Sequence, residues 1–208
     1  MNDNQTTDIL ASIKKTVLSY YEHKESEFLL DKDKKVITLI EDDKEAKCNE
    51  IKFEITGEIL IYKFDKKNKQ VKDKHPLLFL EPESPVRSLV DYIIFYHKDT
   101  KKGNKQLYAI ICNLKSEKAG NMEDQMLSGS ILADFIYKTA VRCHNSWNSS
   151  NNNKKISLEN LNIIYKEIAV YSKIPPQEGK SKPHNNIKSR TILQCNNQDA
   201  YNLDDKIS

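Results

Sequence analysis

Asp91 is a lone carboxylate in the run Leu89-Val-Asp-Tyr-Ile-Ile-Phe-Tyr96, whose other members are apolar or aromatic. An ionised carboxylate is rarely buried without a partner or a cation, so this position asks for one. A second apolar run, Leu107 to Leu114, leads into Asn113-Leu114-Lys115, and the polar turn 98–105 with Gly103-Asn104 lies between the two. The pair reads as a β-hairpin deep in a core. Side chains alternate along a strand, so Asn113 and Lys115 share a face, with Glu117 if the strand continues. The hairpin can bring Asp91 alongside them. A carboxylate, an amide and an ammonium then meet at the ends of two central strands, either as a site or as a structural Asp91–Lys115 ion pair. Past the polar stretch 116–121, residues Met122, Met126, Leu127, Ile131, Leu132, Phe135, Ile136, Ala140 and Val141 mark a long amphipathic helix. Asn121 can cap it, with Asp124 at the capping-box position. Glu123 and Asp124 suit the helix N-terminus, where the macrodipole favours negative charge.

Over roughly Pro85 to Cys143 this pattern resembles the PD-(D/E)XK nuclease superfamily. Asp91 matches the first motif acid, with Pro82 or Pro85 loosely preceding it. Lys115 matches the motif lysine, and Gln125 matches a polar helix position that approaches the site. The resemblance implies a restriction-endonuclease-like fold and phosphodiester hydrolysis of DNA or RNA with Mg²⁺ or Mn²⁺. It also implies a setting such as bacterial defence or restriction, where the chain could serve as a partner subunit. Catalytic roles would fall to Asp91, Asn113, Lys115 and Gln125, and metal ligation to Asp91, Asn113 and, as a relocated acid, Glu123. Asn113 departs from the motif, which has Glu or Asp there. A neutral amide leaves a hard divalent cation one charge short and its bound water less activated. Two functions are compatible with this: a nuclease with an altered motif, or a catalytically inactive nuclease-fold module that binds nucleic acid or a partner protein. A plain α/β protein-binding domain is the third possibility.

The elements that must position these residues are legible from periodicity. Ile9, Leu10, Ile13, Val17, Leu18, Tyr20 and Tyr21 recur at helical spacing, predicting a first helix over 8–29 with a start at Thr6-Thr7-Asp8. Glu22, Glu25 and Glu27 lie at its charged end. Strands are expected at 35–40, at 51–56 paired with 58–64 around Gly57, at 77–80 and at 161–171, with an edge strand at 191–195. The fold class is α/β, with a central mixed sheet of about four to five strands flanked by helices. One domain would span 1–173, and 174–208 would form a polar, partly mobile extension.

Composition narrows the function classes. The chain has 208 residues, 38% hydrophobic and 30% charged, enough to bury a core without metals or cross-links. Lys+Arg 33 against Asp+Glu 30 gives +3, so a nucleic-acid surface must come from local lysine clusters such as 66–74, 98–105 and 180–188. Only Arg87, Arg142 and Arg190 are arginines. Five scattered glycines build no phosphate loop, and no serine sits in a nucleophile elbow. His23, His75, His97, His144 and His184 are dispersed, and His97 reads as a turn residue. Cys48, Cys112, Cys143 and Cys195 form no CxxC, so neither a zinc site nor a disulfide framework is expected. No signal peptide or membrane-length apolar run is visible, which makes a reducing cytoplasm the expected setting.

Overall fold

The computed structural model describes residues 3–17, 35–41, 50–64, 90–99, 105–115, 122–147, 163–172, 190–195 and 200–207. In chain order these form α1 (Asp3–Thr16), β1 (Lys35–Ile40), β2 (Glu50–Ile55), β3 (Glu58–Lys63), β4 (Tyr92–Asp99) and β5 (Lys105–Lys115). Next come α2 (Met122–Trp147), β6 (Ile163–Tyr171), β7 (Arg190–Gln194), β8 (Ala200–Asn202) and α3 (Leu203–Ile207). The chain is α/β, but its strands divide between two sheets. One has five strands in the order β3-β4-β5-β6-β7, and the other has three in the order β1-β2-β8.

The five-stranded sheet is mixed. β3 with β4 and β4 with β5 pair antiparallel, while β5 with β6 and β6 with β7 pair parallel. The parallel β5–β6 step needs a long crossover, and α2 lies within it. Helices cover one face and the three-stranded sheet covers the other, so the central strands are apolar on both sides. In β4, Ile93 and Phe95 join the core shared with α1 and α2, whereas Tyr92, Ile94 and Tyr96 join the core between the sheets. β5 divides the same way: Leu107, Ala109 and Ile111 face the helices, and Tyr108, Ile110, Cys112 and Leu114 face the second sheet. This double coverage explains why both hairpin strands read as continuous apolar runs.

Several expectations need correction. β2 and β3 do not pair with each other; the chain changes sheets at Thr56-Gly57. A Cβ on Gly57 would stand 2.0 Å from the His97 carbonyl oxygen, so only glycine lets this corner lie against β4. His97 is not a turn residue but a buried member of β4. The first helix begins at Asp3, so Thr6-Thr7-Asp8 lie within it. The predicted run 18–29 and strand 77–80 fall outside the described residues. So do the lysine stretches 66–74 and 180–188.

The edge strand expected at 191–195 corresponds to β7. Beyond it the chain crosses to the other sheet, where β8 pairs parallel with β2. Leu203 and Ile207 of α3 are buried in the inter-sheet core. The 190–207 segment thus joins both sheets. Cys112 and Cys143 are free thiols, whereas Cys195 is disulfide-bonded, against the expectation of four reduced cysteines. No helix among the described residues is long and apolar enough to cross a membrane.

Candidate functional site

The antiparallel register of β4 and β5 pairs Tyr92 with Cys112, which places Asp91, immediately before β4, level with Asn113. Asp91 sits at the bend entering the strand and not within it. Both residues are buried, Asp91 at 5% exposure and Asn113 at 0%. The Asp91 backbone N–H donates to Asn113 Oδ1 at 3.0 Å. In return, the Leu114 N–H donates to Asp91 Oδ2 at 2.6 Å. The Asp91 carbonyl accepts from the Phe64 N–H at 3.1 Å, which fixes the same bend to the end of β3.

Helix α2 supplies the rest of this corner. A Cβ on Gly129 would lie 2.6 Å from Ile111 Cγ2 and 3.1 Å from Val90 Cβ, so the helix rests closely on the sheet just behind the site. That approach sets the first turn of α2 over Asn113. Asn113 Nδ2 donates to Gln125 Oε1 at 3.3 Å and lies 3.4 Å from Met122 Sδ. Lys115 is the last residue of β5 and pairs in register with Tyr171 of β6. Its side chain is outside the described set, as is Glu117.

Of the residues expected from sequence, Asp91, Asn113 and Gln125 are therefore brought together. Glu123 points elsewhere. Its carboxylate takes a two-pronged contact from Arg190: one prong to Nη1, and one to Nη2 at 3.1 Å. Arg190 Nε donates to Glu167 Oε2 at 2.7 Å. Glu167 is opposite Arg190 in the β6–β7 register and opposite Ile111 in the β5–β6 register, on the helix-facing side. It is fully buried, and its Oε1 makes no hydrogen bond. Burial would lower the Arg190 pKa, but the Glu123 and Glu167 carboxylates outweigh it and keep the guanidinium charged.

Glu167 and Arg190 were missed in the sequence, although a signal existed. Glu167 lies in Ile163-Ile-Tyr-Lys-Glu-Ile-Ala-Val-Tyr171, where a carboxylate next to Lys166 in an otherwise apolar run echoes the anomaly that singled out Asp91. Arg190 is one of three arginines, and a forked guanidinium is the usual partner for buried carboxylates.

Mg²⁺ demands an octahedral oxygen shell and usually one or two carboxylates. Asp91 Oδ2 already accepts a backbone N–H, and Asn113 Oδ1 accepts another. Both Glu123 oxygens serve Arg190. Among the described residues no three His, Cys, Asp or Glu side chains stand close enough to share an ion. As arranged, Glu123 is committed to Arg190 while Asp91 and Asn113 stay at the β4–β5 corner, so the three are not brought together as one ligand set. The neighbouring Cys112 thiol is no nucleophile either: burial, and secondarily the charge of Asp91, pushes its pKa far up.

Comparison with protein-family models finds no family that matches the chain, and neither the curated proteins nor the solved structures give a match.

Proposed function

We propose that this chain is a nuclease-like module that binds nucleic acid without cutting it, its motif position turned from metal chemistry to structure. The observation that carries the reading is the reciprocal bonding of Asp91 and Asn113. The two residues that would hold a metal instead bond the backbone at each other's strand ends, Asn113 Oδ1 taking the Asp91 N–H and Asp91 Oδ2 the Leu114 N–H. The sheet order supports it: two antiparallel steps, then a parallel step spanned by α2, with Asp91 and Asn113 at adjacent strand ends. This arrangement agrees with the restriction-endonuclease-like fold that the sequence resembles. Lys115, at the exit of β5, is the residue assigned to a phosphate of the bound strand.

The test measures binding and cleavage together. Labelled single- and double-stranded DNA and RNA are titrated with the full chain at low salt, with and without Mg²⁺ or Mn²⁺. The expected result is metal-independent binding that weakens with salt and with Lys115→Ala, and no cleavage. Metal-dependent cutting that disappears in Asp91→Ala would replace this reading with an active hydrolase. Absence of binding to every nucleic acid at low salt would move the function to a protein partner.

A further inference from the structure

We propose that Cys195 is a redox-sensitive latch that fastens the 190–207 segment across the two sheets. Its disulfide state separates it from Cys112 and Cys143, which are free thiols. Its position gives that difference a purpose. Cys195 directly succeeds β7, and its N–H donates to the Tyr171 carbonyl at 2.6 Å. Its Sγ lies 3.2 Å from the carbonyl of Glu50, the first residue of β2. The sulfur therefore sits where the segment leaves one sheet for the other, partly buried against the core between them.

Beyond Cys195 the segment is lightly held by backbone bonding. β8 has three residues, all in register with β2, and α3 has five. Such short elements cannot stand alone, and a nearby covalent cross-link restricts the states they open into. The same segment begins at Arg190, which bonds Glu167 of β6 and Glu123 at the start of α2. A dithiol reductant would operate it. One thiolate of the reductant attacks the disulfide and expels a cysteine thiolate. The second then attacks the mixed disulfide, releases the other cysteine and closes the reductant's own disulfide. Two electrons and two protons pass from the dithiol to the protein, leaving two cysteine thiols. The deeply buried Cys112 stays out of this exchange. The inference is independent of the nucleic-acid reading.

The experiment uses the full chain prepared without reductant, with one portion then treated with dithiothreitol. Peptide mass spectrometry without reduction should find Cys195 cross-linked. Hydrogen exchange over 200–207 should accelerate about tenfold or more on reduction, the low end of what losing a cross-link costs. Exchange in β4 and β5 should stay unchanged. Cys195→Ser should show the fast exchange at once and ignore the reductant. A free Cys195 thiol in the unreduced protein overturns the proposal, as does equal exchange over 200–207 in the two portions. Should Cys195→Ser fail to fold, the two wild-type portions decide alone.

Discussion

Asp91 and Asn113 each hydrogen-bond the backbone at the other's strand end, Asn113 Oδ1 receiving the Asp91 N–H and Asp91 Oδ2 receiving the N–H of Leu114, next to Asn113. Neither contact depends on a ligand. Asn113→Ala leaves a buried N–H without its acceptor and should destabilise the fold by about 1–3 kcal/mol. Asn113→Asp keeps the acceptor but sets a second carboxylate beside Asp91 in a buried corner. Like charge and burial raise the new group's folded pKa above its unfolded value, so the protein should be weakened near neutral pH and recover as pH falls through that raised value. Urea unfolding of both variants at neutral and acid pH checks this. An Asn113→Asp protein as stable as the parent near neutrality would refute it.

Arg190 has two carboxylate partners of very different worth. Glu167 is at 0% exposure and Glu123 at 47%. Arg190→Met strands Glu167 as a buried, unpaired charge and should cost about 3–5 kcal/mol. Glu123→Gln removes only a half-exposed partner and should cost about 0–1 kcal/mol. Chemical denaturation of the two variants side by side distinguishes them, and similar losses would contradict the assignment.

Asp204 anchors α3 by accepting from Thr56 Oγ1 at 2.8 Å, Tyr96 Oη at 2.8 Å and Lys98 Nζ at 3.1 Å. Burial alone would raise its pKa, but the hydrogen bonds from Thr56, Tyr96 and Lys98 outweigh it and hold the carboxyl below its ordinary 3.8. A lowered folded pKa stabilises above the unfolded value and loses that contribution as pH falls through the folded one. Protection of 200–207 from hydrogen exchange should therefore fall on acidification below that ordinary value. In Asp204→Asn this acid-side loss should be absent, and protection lower already at neutral pH. An unchanged acid profile in the variant would count against the anchor.

Gly57 and Gly129 should respond unequally to alanine. The Cβ of Gly57→Ala meets the backbone oxygen of His97 at 2.0 Å, which cannot yield without moving β4. At Gly129 the obstacles are side chains, Ile111 Cγ2 at 2.6 Å and Val90 Cβ at 3.1 Å. Overpacking of that kind costs about 1–3 kcal/mol, offset in part by the better helix propensity of alanine, about 1 kcal/mol. Thermal melts should rank Gly57→Ala below Gly129→Ala, with both below the parent.

The hairpin of β4 and β5 and the long helix α2 were legible because their patterns are strong and local. The register that sets Asp91 beside Asn113 comes from the same hairpin. Harder to see was the division of strands between two sheets. Ile51–Thr56 and Glu58–Phe64 flank a glycine as hairpin strands do, and only the contact of Gly57 with His97 reveals a corner instead. The role of Arg190 was hidden for a related reason. It reaches β6 and the start of α2 from a point far along the chain, and no periodic pattern carries a pairing of that range. Asn113 was found by its spacing, but its task was not, because a hydrogen bond to a backbone N–H leaves no trace in residue type.

The parallel pairing of β8 with β2 places Lys52 beside Ala200 and Phe53 beside Tyr201. That contact sets an order of assembly. The core between the sheets takes Leu203 and Ile207 from the far end of the chain, so it cannot close on a growing polypeptide until residue 207 has been made. The helix-side core needs nothing beyond β7 and can form first. Until then the inner faces of β1 and β2, with Ile37, Leu39, Ile51 and Phe53, wait without their last cover. Long-range pairings of this kind slow folding and leave apolar strands open to aggregation during synthesis. Truncation before α3 would make that transient exposure permanent.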